Sequence, residues 1–229
     1  MNESLQAAYS RSGVLAQQRN RVLRNTYWLL ALSLVPTVLG AWIGVVTGFS
    51  FFASSPLLGF FAFLAIAFGF FFAIEKFKNS GVGVLLLLGF TFFMGLMLSR
   101  LIGAVLGFAN GAQLIMMAFG GTALVFFGMA TLATTIKRDL SGMGKWLMVG
   151  VVMLIVASLA NIWLQMPALM LTISSLAIVI FSAYMLYDLK RIVDGGETNY
   201  VTATLAIYLD IYIVFQHLLA LLGIFGGDE

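Results

Sequence analysis

The chain contains no cysteine, one histidine and three prolines among 229 residues, and only 9% of it is charged. Without cysteine there is no disulfide framework and no thiolate to serve as nucleophile or metal ligand. A single histidine, His217, excludes multi-histidine metal sites and argues against hydrolysis of the Ser/His/Asp type. No phosphate-binding glycine loop occurs, so no nucleotide site is supported. The scarcity of charge is the most decisive absence. Soluble domains carry roughly a quarter charged residues and about half apolar ones. Here 62% of residues are hydrophobic, including 21 Phe and 12 Met alongside 24 Gly, and the mean hydropathy is +1.05. Too few polar side chains remain to cover a soluble surface, and the composition is that of a polytopic membrane protein.

A bilayer-spanning helix needs about 20 mostly apolar residues. Seven segments qualify: 27–47, 56–74, 81–99, 114–135, 146–165, 167–187 and 200–225. Their unbroken apolar runs lack the period-two alternation of a membrane barrel, so the expected class is an all-α bundle of seven helices. The break around Gln165-Met166-Pro167 is tight enough to make spans five and six antiparallel neighbours. Small residues at Gly120-Gly121-Thr122 suit close helix packing. Segment 100–113 reads as an external, partly helical loop, and no internal repeat is visible.

Basic residues set the expected orientation. Arg11, Arg19, Arg21, Arg24, Lys76, Lys78, Lys137, Arg138, Lys145, Lys190 and Arg191 fall on one side of the membrane, and Arg100 alone on the other. The amino terminus is therefore expected in the cytoplasm and the short tail 226–229 outside. The pI near 9.3 is then a topology signal rather than a sign of nucleic-acid binding. Residues 1–26 form a polar cytoplasmic tail, too long for a cleavable signal. They are expected to fray or to make a short amphipathic helix over 13–24. Residues 27–225 form one bundle.

Acids inside spans are rare and ask for a pairing or functional reason, since an Asp at mid-bilayer costs about 3 kcal/mol on insertion scales. Asp210 lies ten residues into the last span, about 15 Å deep at 1.5 Å per residue. The candidate partner is Asp188, near the end of the sixth span. Two carboxylates within a few Å cannot both ionise cheaply, so the pair would share a proton. Deprotonated, it would offer hard oxygens suited to transient Ca²⁺. Structural alternatives stand beside this reading. Asp188 can pair with Arg191 or Lys190, and Asp210 can be a neutral carboxyl bonded to a Tyr hydroxyl. His217, seven residues beyond Asp210, extends a proton pathway outward or simply packs. Ser158, Asn161 and Gln165 share one face of the fifth span and line a polar pathway or bond between helices. No nucleophile–base set is present, so no enzyme and no cofactor is expected.

Several stretches resemble the bacterial YccA-like branch of the Bax inhibitor family. They are 120–127 (Gly-Gly-Thr-Ala-Leu-Val-Phe-Phe), 160–169 (Ala-Asn-Ile-Trp-Leu-Gln-Met-Pro-Ala-Leu), 195–200 (Gly-Gly-Glu-Thr-Asn-Tyr) and 22–27 (Val-Leu-Arg-Asn-Thr-Tyr). The resemblance runs from about Arg21 onward. It implies seven helices with the last at the centre, wrapped by the other six, in a bacterial inner membrane. It also implies a pH-sensitive Ca²⁺ leak, with Asp188 in its Tyr-Asp context and Asp210 in its Leu-Asp-Ile context as sensor and gate. One departure concerns the arginine that latches an aspartate from the second helix. That region here reads Ile74-Glu75-Lys76-Phe77-Lys78, so Lys76 or Lys78 would have to substitute, without arginine's fork geometry. Glu75 would add a third carboxylate at the mouth. The branch implies a second role as a modulator of the membrane-anchored ATP-dependent protease FtsH, engaged through residues 1–20 and needing no ion pathway.

Overall fold

In the computed structural model, residues 2–49 and 56–227 are described, with side chains for 17–49 and 58–227. The end of the carboxy-terminal tail, Asp228 and Glu229, lies outside the described residues, as does most of the first interhelical break. Seven helices follow one another: α1 (Asn2–Thr47), α2 (Pro56–Phe77), α3 (Gly81–Leu106), α4 (Gly111–Thr135), α5 (Met143–Leu164), α6 (Pro167–Val193) and α7 (Tyr200–Gly226). Each is long and apolar enough to cross a membrane, and no strand occurs among the described residues. Helices suit these runs because each satisfies its own backbone groups without water.

The helix ends have local causes. Gln165 takes a left-handed φ of 48° at the end of α5, and Pro167 opens α6 with its φ already set for helix. The turn between them is so short that α5 must run back along α6. Gly195, at φ 81°, turns the chain out of α6. Asn199 then caps α7, its carboxamide oxygen accepting from the backbone N–H groups of Val201 (2.9 Å) and Thr202 (3.3 Å). Its amide nitrogen donates to the Lys78 carbonyl and the Asn79 side chain, joining the α6–α7 and α2–α3 connections at one end of the bundle. At the other end Asn110 donates to the Gly226 carbonyl at 2.7 Å. The first of these ends carries the basic residues of the connections. There Asp139, in the α4–α5 connection, accepts from the Ser141 backbone N–H and hydroxyl, which hold its carboxyl below the usual carboxylate range.

Three boundaries differ from the hydropathy reading. Segment 100–113 is mostly helix: α3 continues to Leu106 and α4 begins at Gly111. Helix α6 runs past Tyr187 to Val193, because Lys190 reaches Asp194 one turn on (2.6 Å) and the backbone needs no apolar residue to stay helical. The polar segment ahead of Tyr27 is helix from Asn2, continuous with the span. It has no proline before Pro36 and is rich in Ala, Leu, Gln and Arg, all good helix formers.

Helices α1 and α3 approach backbone to backbone. A Cβ on Gly40 would run into the Phe92 carbonyl, and one on Gly95 into the Thr37 carbonyl. Small residues here do what lipid cannot, bringing polar backbones into van der Waals contact. Helix α7 packs against α1, α2, α3, α4 and α6, whereas α5 runs beside α6 alone. Five helices therefore border α7, not the six that the resemblance implies, because the tight α5–α6 turn holds α5 on the far side of α6. The main core joins Leu29, Ile74, Leu87, Phe90, Met185 and Ile207, with Phe90 edge-on to Tyr208.

Candidate functional site

Asp210 sits in the middle of α7, 3% exposed. Its position follows from the helix on either side: Tyr208 and Tyr212 flank it, and both hydroxyls are engaged elsewhere. Tyr208 shares a 2.8 Å hydrogen bond with the Thr37 hydroxyl of α1 and reaches the Thr91 carbonyl of α3 at 3.4 Å. Tyr212 donates to the Met94 carbonyl of α3 at 3.1 Å. These bonds tie α7 to the closely packed α1–α3 pair and leave the aspartate to the other side. Asp210 Oδ2 is buried with no hydrogen-bond partner among the described residues. Such an orphaned acceptor costs about 1–3 kcal/mol, and native structures contain few of them.

Asp188 lies on α6, which packs along α7, and it is itself only partly exposed. Asp188 also has a cation of its own: Arg191 Nη1 lies 3.7 Å from its Oδ1, one turn along the same helix. The other fork of Arg191 is 3.7 Å from Glu197, and its guanidinium stacks over the Tyr187 ring. Arg191 thus links the end of α6 to the loop that starts α7. Among the described residues, Glu75 and Lys76 at the end of α2 and Lys78 just after it do not pair with Asp188 or Asp210. Glu75 and Lys78 pair with each other, and the Lys76 ammonium lies over the Phe77 ring. Among the described residues the ion pair made by Asp188 comes from α6 itself, an i,i+3 spacing that the sequence displays openly.

A second polar feature lies further along α7. His217 Nδ1 is 3.2 Å from the hydroxyl of Ser174, a buried residue of α6. Together with Ser158, Asn161 and Gln216 they line a cavity of about 270 Å³, closed on its apolar side by Ile173 and Leu101. The cavity occupies the place where α5 stays off α7. Asn161 has a second task, its side-chain oxygen accepting from the Met166 N–H at 3.0 Å across the α5–α6 turn. Gln165 does not line the cavity; its N–H closes the last turn of α5 on the Asn161 carbonyl at 2.8 Å.

As a resident metal site, Asp188 and Asp210 offer too few ligands. Ca²⁺ takes six to eight oxygens, and no group of three or more His, Cys, Asp or Glu side chains able to hold a metal occurs among the described residues. Two carboxylates suit a cation in passage, not a resident one.

Comparison with known proteins adds an independent line. The family model described as inhibitor of apoptosis-promoting Bax1 matches residues 19–227. The chain is 36% identical to the modulator of FtsH protease YccA of Escherichia coli strain K12, over 228 residues and the full length of both. It is 37% identical to an uncharacterized protein of Neisseria meningitidis serogroup A over 213 residues, 92% of this chain and 94% of that one. A Pseudomonas aeruginosa protein, also uncharacterized, is 37% identical over 96% of this chain and 98% of its own. With seven apolar helices and a match across nearly its whole length, this chain belongs to the Bax inhibitor family.

Proposed function

We propose that this protein is a multi-pass inner-membrane modulator of the FtsH protease, non-enzymatic itself, with its basic end in the cytoplasm and its carboxyl terminus outside. The observation that carries the proposal is the end-to-end similarity to a protein named as such a modulator, with neither chain overhanging the other. A second relative is named as an inner membrane protein. The shape of α1 is consistent with it. At 1.5 Å per residue its 46 residues extend about 69 Å, whereas the apolar part from Tyr27 needs only about 30 Å to cross the hydrocarbon core. The excess projects from the basic end as a helical arm that a membrane-anchored partner can grip. Deleting residues 2–16 is expected to reduce co-purification with FtsH at least tenfold while the helical circular-dichroism signal of the bundle persists. Undiminished co-purification would show that the arm is not the handle.

A second reading, a proton-responsive leak for a cation such as Ca²⁺, is favoured by one specific observation: the orphaned Oδ2 of Asp210. On this reading, protonating or deprotonating a buried, unmatched carboxyl would favour different arrangements of α7. Protonation would shift the population between them. The polar cavity around His217 lies further along the same helix, toward its carboxyl end. The two readings are compatible, since the arm and the dyad occupy different parts of the chain.

A further inference from the structure

At the basic end, the start of α1 and the α6–α7 connection enclose a cleft of about 930 Å³, near the upper end of the range of ligand pockets. Its charged lining is Arg19 and Arg21 from α1 and Asp194 and Glu197 from the connection. Each acid has a basic partner, Asp194 in Lys190 and Glu197 in the Arg191 that it shares with Asp188. Asp194 accepts from Lys190 at 2.6 Å. Glu197 faces Arg191 at 3.7 Å and accepts from the Asn199 N–H at 2.9 Å. Arg19 and Arg21 make no ion pair or hydrogen bond among the described residues. The cleft therefore presents two uncompensated guanidinium groups, with Asn25, Thr198 and Tyr200 as neutral hydrogen-bonding groups beside them.

Depth decides what such a cleft meets. Arg21 lies six residues before Tyr27, about 9 Å along the helix. The polar layer of a bilayer is about 5–8 Å thick on each side of the hydrocarbon. Tyr27 and Trp28, both exposed, stand where interfacial aromatics stand. Asn25 and Tyr200 thus fall within the headgroup layer, and the two arginines reach it from just outside. Arginine forks match phosphate oxygens in pairs, and basic pockets between helices at this level hold anionic headgroups.

We propose that the cleft between Arg19, Arg21 and the α6–α7 connection binds the phosphate headgroup of an anionic phospholipid. The inference stands apart from the protease reading, because it rests on the cleft alone. The test uses the full chain, delipidated in detergent and incubated with phosphatidylglycerol, with phosphatidylcholine or with inorganic phosphate. Retained lipid is read by native mass spectrometry and stability by the thermal midpoint. Phosphatidylglycerol is expected to stay bound and raise the midpoint, and the other two probes to do neither. The double variant Arg19→Gln/Arg21→Gln should retain at least tenfold less phosphatidylglycerol with an unchanged midpoint in its absence. Arg24→Gln/Lys145→Gln, which removes equal charge outside the cleft, should retain it fully. Equal loss in both variants would reduce the effect to diffuse attraction and overturn the site. Equal retention of phosphatidylcholine, or full stabilisation by inorganic phosphate alone, would overturn it too. So would a cleft variant that keeps its lipid but no longer co-purifies with FtsH, which would make the cleft a protein-docking surface.

Discussion

Replacing Asp210 with leucine is expected to make the protein more stable and less functional at once. The carboxyl is 3% exposed with one oxygen unmatched, so removing it recovers the desolvation penalty of about 1–3 kcal/mol. The neighbouring anchors are untouched, because Tyr208 and Tyr212 bond to α1 and α3 and not to the aspartate. The thermal midpoint of the purified protein should rise by a few degrees. In liposomes loaded with a Ca²⁺ dye, any flux that depends on pH between 6 and 8 should vanish. Asp210→Asn separates size from titration: it keeps the shape and polarity, and should remove the pH dependence without the gain in stability. A destabilised leucine variant would mean that the carboxyl has a partner the account denies. Unaltered pH-dependent flux in the asparagine variant would remove Asp210 as the sensor.

The largest loss of stability is expected at Gly95. A side chain there meets the Thr37 carbonyl and the Ala41 backbone nitrogen, and neither can swing aside as a rotamer could. Overpacking ordinarily costs about 1–3 kcal/mol, and a clash with backbone lies at or above the top of that range. Gly95→Leu should therefore part α1 from α3, strip Tyr208 of its bond to Thr37, and leave most of the protein aggregated on size exclusion. Gly120→Leu is the control, since a Cβ at Gly120 meets nothing within 4 Å. It adds apolar surface facing lipid and should elute as the native protein does. Equal behaviour of the two variants would contradict the close approach.

Much of this architecture is readable from the chain because lipid enforces a simple rule: long apolar runs without internal charge become helices. Where charge enters a helix, hydropathy stops short of the structure. Helix α6 continues through Asp188, Lys190 and Arg191 because each finds a partner within a turn, and α1 continues backwards to Asn2 because no proline interrupts the segment ahead of Tyr27. Asp210 announces itself as the one acid deep in a span. Its unmatched state does not, since that depends on Tyr208 and Tyr212 turning toward α1 and α3, a matter of helix rotation that no local pattern encodes. The cation at Asp188 is legible as Arg191, three residues on, whereas the latch that the resemblance places at the end of α2 is not seen among the described residues, where Lys78 pairs with Glu75. The polar stripe of α5 is legible as a stripe, yet its division into Ser158 and Asn161 at the cavity and Gln165 at the helix end follows from a left-handed residue and a proline. The basic-end cleft brings Arg19 and Arg21 beside residues more than 170 positions later, and only the folded bundle shows that pairing.

The most direct test of the protease reading is the rate at which purified FtsH, reconstituted in vesicles, degrades a reference membrane substrate as this protein is titrated in. The account predicts a saturable change in that rate with the full chain and none with the chain lacking residues 2–16. Rates that stay the same at every ratio of the full chain to protease, or that change equally with the shortened chain, would contradict it.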